Sequence, residues 1–194
     1  MTLQAMTATP FALSLLALAG AVFAQTPAQT QAQIQAQIQA QIQAQPPALL
    51  CGGTRQPAFA CTTRAPAGQL ALCAPAAGTR GPLELRFAEQ DTPARTVHSA
   101  VPGQALTAGG FGFAASQTPG SERVALRFEG AAGNQMLIHQ RVNGREIAGW
   151  VSIDADDEWH YEAVCEQVTV MALPTLRSQL VCDPHNQLGV KSCP

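Results

Sequence analysis

The side chains able to carry chemistry are few and far apart along the chain. His98, His139 and His185 are scattered, and no spacing ties them to a serine or a cysteine. A Ser-His-Asp site is recognised by converging geometry, and nothing in the sequence points to one. Neither G-x-S-x-G nor S-x-x-K occurs. His160-Tyr161-Glu162 reproduces the H-x-E fragment of zinc deaminases, but the P-C-x-x-C that would complete that zinc site is missing. Asp154-Ala155-Asp156-Asp157-Glu158 concentrates carboxylates as a calcium loop would. It lacks the glycine and terminal glutamate of an EF-hand, and it reads as a solvated turn, with a low-affinity calcium loop as the alternative. Gly110-Phe111-Gly112 opens a G-x-G-x-x-A string with no helical pattern after it, which excludes dinucleotide binding. No C-x-x-C is present, so neither a redox dithiol nor a zinc ribbon is supported. The expectation is therefore a protein without a catalytic site, metal or cofactor.

Recognition chemistry is better represented. Trp150 and Leu137, with His139 and Arg141, fall on one side of a single hairpin and form the candidate binding site. Tryptophan and arginine dominate binding hot spots. If neighbouring strands add Arg86, Arg123 and Arg127, the site becomes an aromatic patch rimmed by guanidinium groups. The alternative is that this side of the hairpin is a second buried face.

The hairpin itself is the clearest local signal. Asn143-Gly144 separates Gln135–Val142 from Arg145–Ile153, and Asn-Gly favours a two-residue type I′ turn because both central residues need positive φ. That turn sets Val142 opposite Arg145, Arg141 opposite Glu146, and Leu137 opposite Trp150. Met136, Ile138, Val142, Ile147, Val151 and Ile153 then share the other face, which is the expected core face. Further period-two segments run through Gln69–Cys73, Leu83–Phe87, Gly110–Ala115 and Val124–Phe128, with Gly and Pro between them. A short helix is expected near Leu173–Leu180. Short strands and no helical crossovers predict an all-β, disulfide-stabilised antiparallel β-sandwich or small β-barrel.

Before this domain, residues 1–24 contain no charged side chain, and an apolar run from Phe11 ends at Val22-Phe23-Ala24. The run is shorter than the roughly 20 residues a bilayer span needs, and its end matches a small-x-small cleavage pattern. It reads as a secretory signal peptide. Residues 25–49, in which Q-A-Q-I repeats from Gln31 to Gln45, read as a low-complexity tether. The domain is placed at 50–194 and holds all six cysteines: Cys51, Cys61, Cys73, Cys165, Cys182 and Cys193. Six cysteines allow fifteen pairings. The order of segments suggests Cys51–Cys61, Cys73–Cys165 and Cys182–Cys193.

Charged residues make up only 12% of the whole chain, but the uncharged leader and tether dilute that figure. Lys191 is the only lysine among 11 basic residues. A net charge of −2 argues against a nucleic-acid binder. Cystine in an exported chain places the protein in the periplasm or outside the cell, with no membrane span in the mature chain.

The series Leu70-Ala71-Leu72-Cys73, Leu83-Glu84-Leu85-Arg86-Phe87, Val124-Ala125-Leu126-Arg127-Phe128 and Glu162-Ala163-Val164-Cys165 resembles small exported Gram-negative β-rich proteins. The arrangement is also similar to the periplasmic inhibitors of C-type lysozyme. The inhibitory S-G-x-x-Y element of that family has no counterpart here, and Tyr161 is the only tyrosine. The resemblance implies a periplasmic β domain. The expected function is a non-catalytic module that binds an envelope or secreted protein or an anionic glycan. Inhibition of a lysozyme, another wall hydrolase or a toxin is the alternative, and an unrecognised hydrolase is the second.

Overall fold

The computed structural model describes residues 50–131 and 133–186; the expected signal peptide and tether lie outside the described residues. Ten strands follow in order: β1 (Arg55–Ala65), β2 (Ala67–Pro75), β3 (Leu83–Glu89), β4 (Arg95–Ala100), β5 (Gly112–Thr118), β6 (Ser121–Gly130), β7 (Gly133–Val142), β8 (Arg145–Ile153), β9 (Trp159–Met171) and β10 (Val181–Cys182). The helix expected near Leu173 is a single 3-10 turn, Leu173–Leu176, with Pro174 in its first turn. The fold is all-β, as the period-two segments predict.

All ten strands belong to one sheet, in the order β10-β5-β6-β7-β8-β9-β1-β2-β3-β4. Every pairing is antiparallel except that of β10 with β5. The sheet curls into a half-barrel. His98 on β4 stacks on Phe128 of β6, with centroids 4.6 Å apart, although these strands are far apart in the sheet order. The concave face carries Phe59, Leu70, Leu72, Leu83, Leu85, Phe87, Phe113, Leu126 and Phe128, all at most 2% exposed. Apolar burial on this scale is the main stabilising term.

The β7–β8 register is the expected one: Val142 faces Arg145, Arg141 faces Glu146, and Leu137 faces Trp150. Asn143 and Gly144 adopt φ of 50° and 78°, as a type I′ turn requires. The expected core face needs correction. Met136, Ile138, Val151 and Ile153 are buried in a small cluster on the convex side, but Ile147 is 51% exposed. Leu137, Ala148 and Trp150 join the main core on the opposite side. Both faces of this hairpin are apolar, so alternation fixes the pairing but not the direction of curl.

The disulfides are Cys51–Cys73 and Cys61–Cys165. They replace the expected Cys51–Cys61 and Cys73–Cys165. The faces of the sheet explain the difference. Cys61 lies opposite Leu70 and, with it, belongs to the concave core, which Cys165 also meets. Cys73 clusters with Ala71 on the convex side, where Leu50 and Cys51 also pack. Cys182 is disulfide-bonded. The expected Cys182–Cys193 pair involves a residue outside those described.

Antiparallel succession sorts the connections to two ends of the sheet. The β1–β2, β3–β4, β6–β7 and β8–β9 turns share one end, here the β8–β9 end. The β2–β3, β5–β6 and β7–β8 turns share the other, the β7–β8 end. A hydrogen bond of 2.8 Å from the Asn143 amide to the Gly120 carbonyl joins two turns of that second end.

Candidate functional site

Strand β7 presents Leu137, His139 and Arg141 to the concave face, and β8 presents Trp150, Ala148 and Glu146 opposite them. The four predicted site residues are thus neighbours on one face. That face is the interior: Leu137 and His139 are 0% exposed and Trp150 is 5% exposed. Of the two readings left open for this side of the hairpin, the buried one is what the structure shows, because the sheet curls around these side chains. Of the four, Arg141 reaches solvent, with its side chain 55% exposed.

The buried members form a graded support. Trp150 donates its indole N–H to Oε1 of buried Gln135 at 3.1 Å. Its ring meets Phe87 edge-on at 6.1 Å. His139 Nε2 lies 2.8 Å from Glu146 Oε1, and Arg141 Nη2 donates to the same oxygen at 3.0 Å. A carboxylate oxygen accepts, so Nε2 donates its N–H. Nδ1 is buried without a hydrogen-bond partner. The hydrogen bond from His139, and after it the one from Arg141, hold the Glu146 carboxyl below the usual carboxylate range. His139 therefore fixes Glu146 from inside, and Glu146 fixes the exposed Arg141 guanidinium.

The expected rim of Arg86, Arg123 and Arg127 is also corrected. Arg127 pairs with Met136, Arg123 with Gln140 and Arg86 with Ala71, positions that point to the convex side. Arg127 forms a bidentate pair with Asp183 at 2.7 Å, both oxygens engaged, and this holds the chain after β10 against β5 and β6. An arginine that sequence reasoning missed does meet the aromatic cluster. Arg95, at the start of β4, sits over the rings of Phe87 and Trp150, 5.7 and 5.5 Å from their centroids. No pattern in Arg95–Ala100 announces this contact, because it forms across the curl.

The remaining motifs resolve as local structure. Asp154, Glu158 and His160 offer ligand atoms within 4.8 Å of one another on the exposed β8–β9 turn. Oδ1 of Asp154 accepts the amides of Asp156 and Glu158, and its Oδ2 lies 2.9 Å from His160 Nε2. That hydrogen bond raises the pKa of His160 and lowers that of Asp154. Glu162, the acid of the H-x-E fragment, accepts from the Ser152 hydroxyl. His98 donates Nε2–H to the Gly109 carbonyl at 2.9 Å, and burial against Phe111 and Phe128 lowers its pKa. The Gly110–Gly112 string leads into β5.

No helix among the described residues is long and apolar enough to cross a membrane. No protein-family model, curated protein or solved structure matches the chain.

Proposed function

We propose that this protein is an exported, non-catalytic binding module of the cell envelope that grips an anionic partner at the β7–β8 end of its sheet. The observation that carries this reading is the Arg141 support. An exposed guanidinium is held by Glu146, which is held in turn by a fully buried imidazole. A recognition group set on rigid strands by a packed second layer loses little freedom on binding. A guanidinium also offers a planar fork of donors that suits carboxylate, sulfate and phosphate. The two disulfides and the signal-like leader support export. Within this reading, Leu137, His139 and Trp150 are supports and Arg141 is the contact.

The test is capture of partners from an envelope extract by the immobilised domain. Arg141→Glu is expected to weaken capture by about tenfold or more, the effect of losing one well-set charged contact and adding a repulsion. Arg64→Glu, on the far end, should leave capture intact. Equal capture by the wild-type chain and Arg141→Glu, both folded, would reject the site. Trp150→Ala is not a useful probe, because Trp150 is core and its loss tests the fold.

A further inference from the structure

The sheet topology separates the charges of the domain. The turns of the β8–β9 end carry Glu89, Asp91, Asp154, Asp156, Asp157 and Glu158, all exposed. The turns and adjoining strand ends of the β7–β8 end carry Arg80, Arg141 and Arg145, also exposed. Two acids neighbour the hairpin arginines: Glu122, opposite Arg141 on β6, and Glu146, which is engaged by His139 and Arg141. A chain of net charge −2 thus has one end where exposed acids outnumber the exposed arginines Arg64 and Arg95, and one end richer in arginine. Along the sequence these charges are interleaved, and only the alternating strand directions sort them.

We infer that the β7–β8 end is a docking rim for a polyanionic glycan, approached end-on, with the acidic end facing away. This rests on the proposed binding role and names its partner. Three observations favour a glycan over a protein surface. The cations stand at two turns, Arg80 between β2 and β3 and Arg141 with Arg145 on either side of the β7–β8 turn, which suits a ligand that carries several anionic groups. They are arginines, whose forks match sulfate, carboxylate and phosphate oxygens. The exposed large hydrophobics among the described residues are Val101, Ile147, Tyr161 and Val181, and of these Ile147 on β8 and Val101 just after β4 stand at the β7–β8 end. A protein interface centres on a packed aromatic or aliphatic cluster, and no exposed aromatic side chain among these four stands at this rim. The acidic end supplies the orientation, since a polyanion is repelled there and attracted at the opposite end.

The test uses heparin as the polyanionic probe, with the whole exported chain run on a heparin column under a rising salt gradient. Retention at low salt is expected despite the negative net charge, with release as salt screens the rim. Arg141→Gln combined with Arg145→Gln should elute at markedly lower salt, with apparent affinity reduced roughly tenfold. Arg64→Gln, at the other end, should elute with the wild-type chain. Failure of the wild-type chain to be retained overturns the inference, as does a shift for Arg64→Gln equal to that of Arg141→Gln alone. Arg141-dependent capture of an envelope partner by a chain that ignores heparin would overturn the glycan assignment and leave the binding role standing. Loss of both would remove the two together.

Discussion

Two carboxylate–histidine pairs sit at opposite ends of this domain, and the same chemistry performs different work in each. At the β7–β8 end, His139 is wholly buried and Glu146 is partly exposed, with 2.8 Å between Nε2 and Oε1. At the β8–β9 end, His160 and Asp154 are both exposed, with 2.9 Å between Nε2 and Oδ2. The first pair runs from core to surface and carries a preference of the core outward to Arg141. The second closes a turn of five residues with help from the amides of Asp156 and Glu158. Distance and partner type do not separate them, but burial does. A hydrogen bond in a low-dielectric interior gains strength, and losing one partner there leaves a desolvated group behind. In water the same bond competes with solvent and is screened.

The comparison breaks first if the histidines are removed. His139→Ala leaves a hole between Val124, Ala148 and Leu137 and frees Glu146. Urea unfolding should show a loss of about 2–4 kcal/mol, the range for truncating a buried side chain. His160→Ala should leave the urea midpoint unchanged. Similar losses at both positions would mean that burial is not what distinguishes the pairs.

A smaller effect is expected from Glu146→Gln, which keeps the shape and removes the charge. The folded pKa of Glu146 lies below its unfolded value, so the carboxylate stabilises the fold fully above the ordinary carboxylate range. That contribution disappears as pH falls through the lower folded value. The variant should therefore be less stable than the wild type at neutral pH, and the difference should vanish in acid. Solvent screening keeps the difference below about 1 kcal/mol. Denaturant midpoints across the acid range provide the check, and a difference that grows towards acid would contradict the pairing.

The smallest effect lies at the exposed pair. His160 titrates above its ordinary value because of Asp154, so its contribution is full below the usual imidazole pKa and is lost as pH rises through the folded value. An NMR titration should find His160 raised in the wild type and returned to the ordinary imidazole range in Asp154→Asn. Global stability should not change. An unshifted His160 would remove the turn lock.

Much of the pairing was legible because it is local. Asn143-Gly144 specifies its own turn, and β7–β8 follows in register without a shift. The strands β5 to β8 succeed one another as hairpins, each read from alternation and punctuation. Pairing β1 with β9 is a different problem. It joins segments about a hundred residues apart, has three register shifts, and is crossed by Cys61–Cys165. No local pattern states which distant strand meets β1, so the cysteine pairing read from segment order went to the wrong partners. The candidate site was legible as a set of neighbours, since Leu137, His139, Arg141 and Trp150 follow from the hairpin register. Its burial stayed open between two readings, and Arg95, which meets Trp150 only across the curl, was not legible at all.

The sequence by itself determined an all-β chain, the positions of its main strands, the type I′ turn and the cross-strand partners around it. Turn chemistry and a period of two are properties of a few adjacent residues, and they act before any long-range contact forms. Tertiary structure alone decided which face of the hairpin became the interior, which cysteines met, and which charges shared an end. Those outcomes depend on the curl of the whole sheet, a sum over all its strands that no single segment encodes.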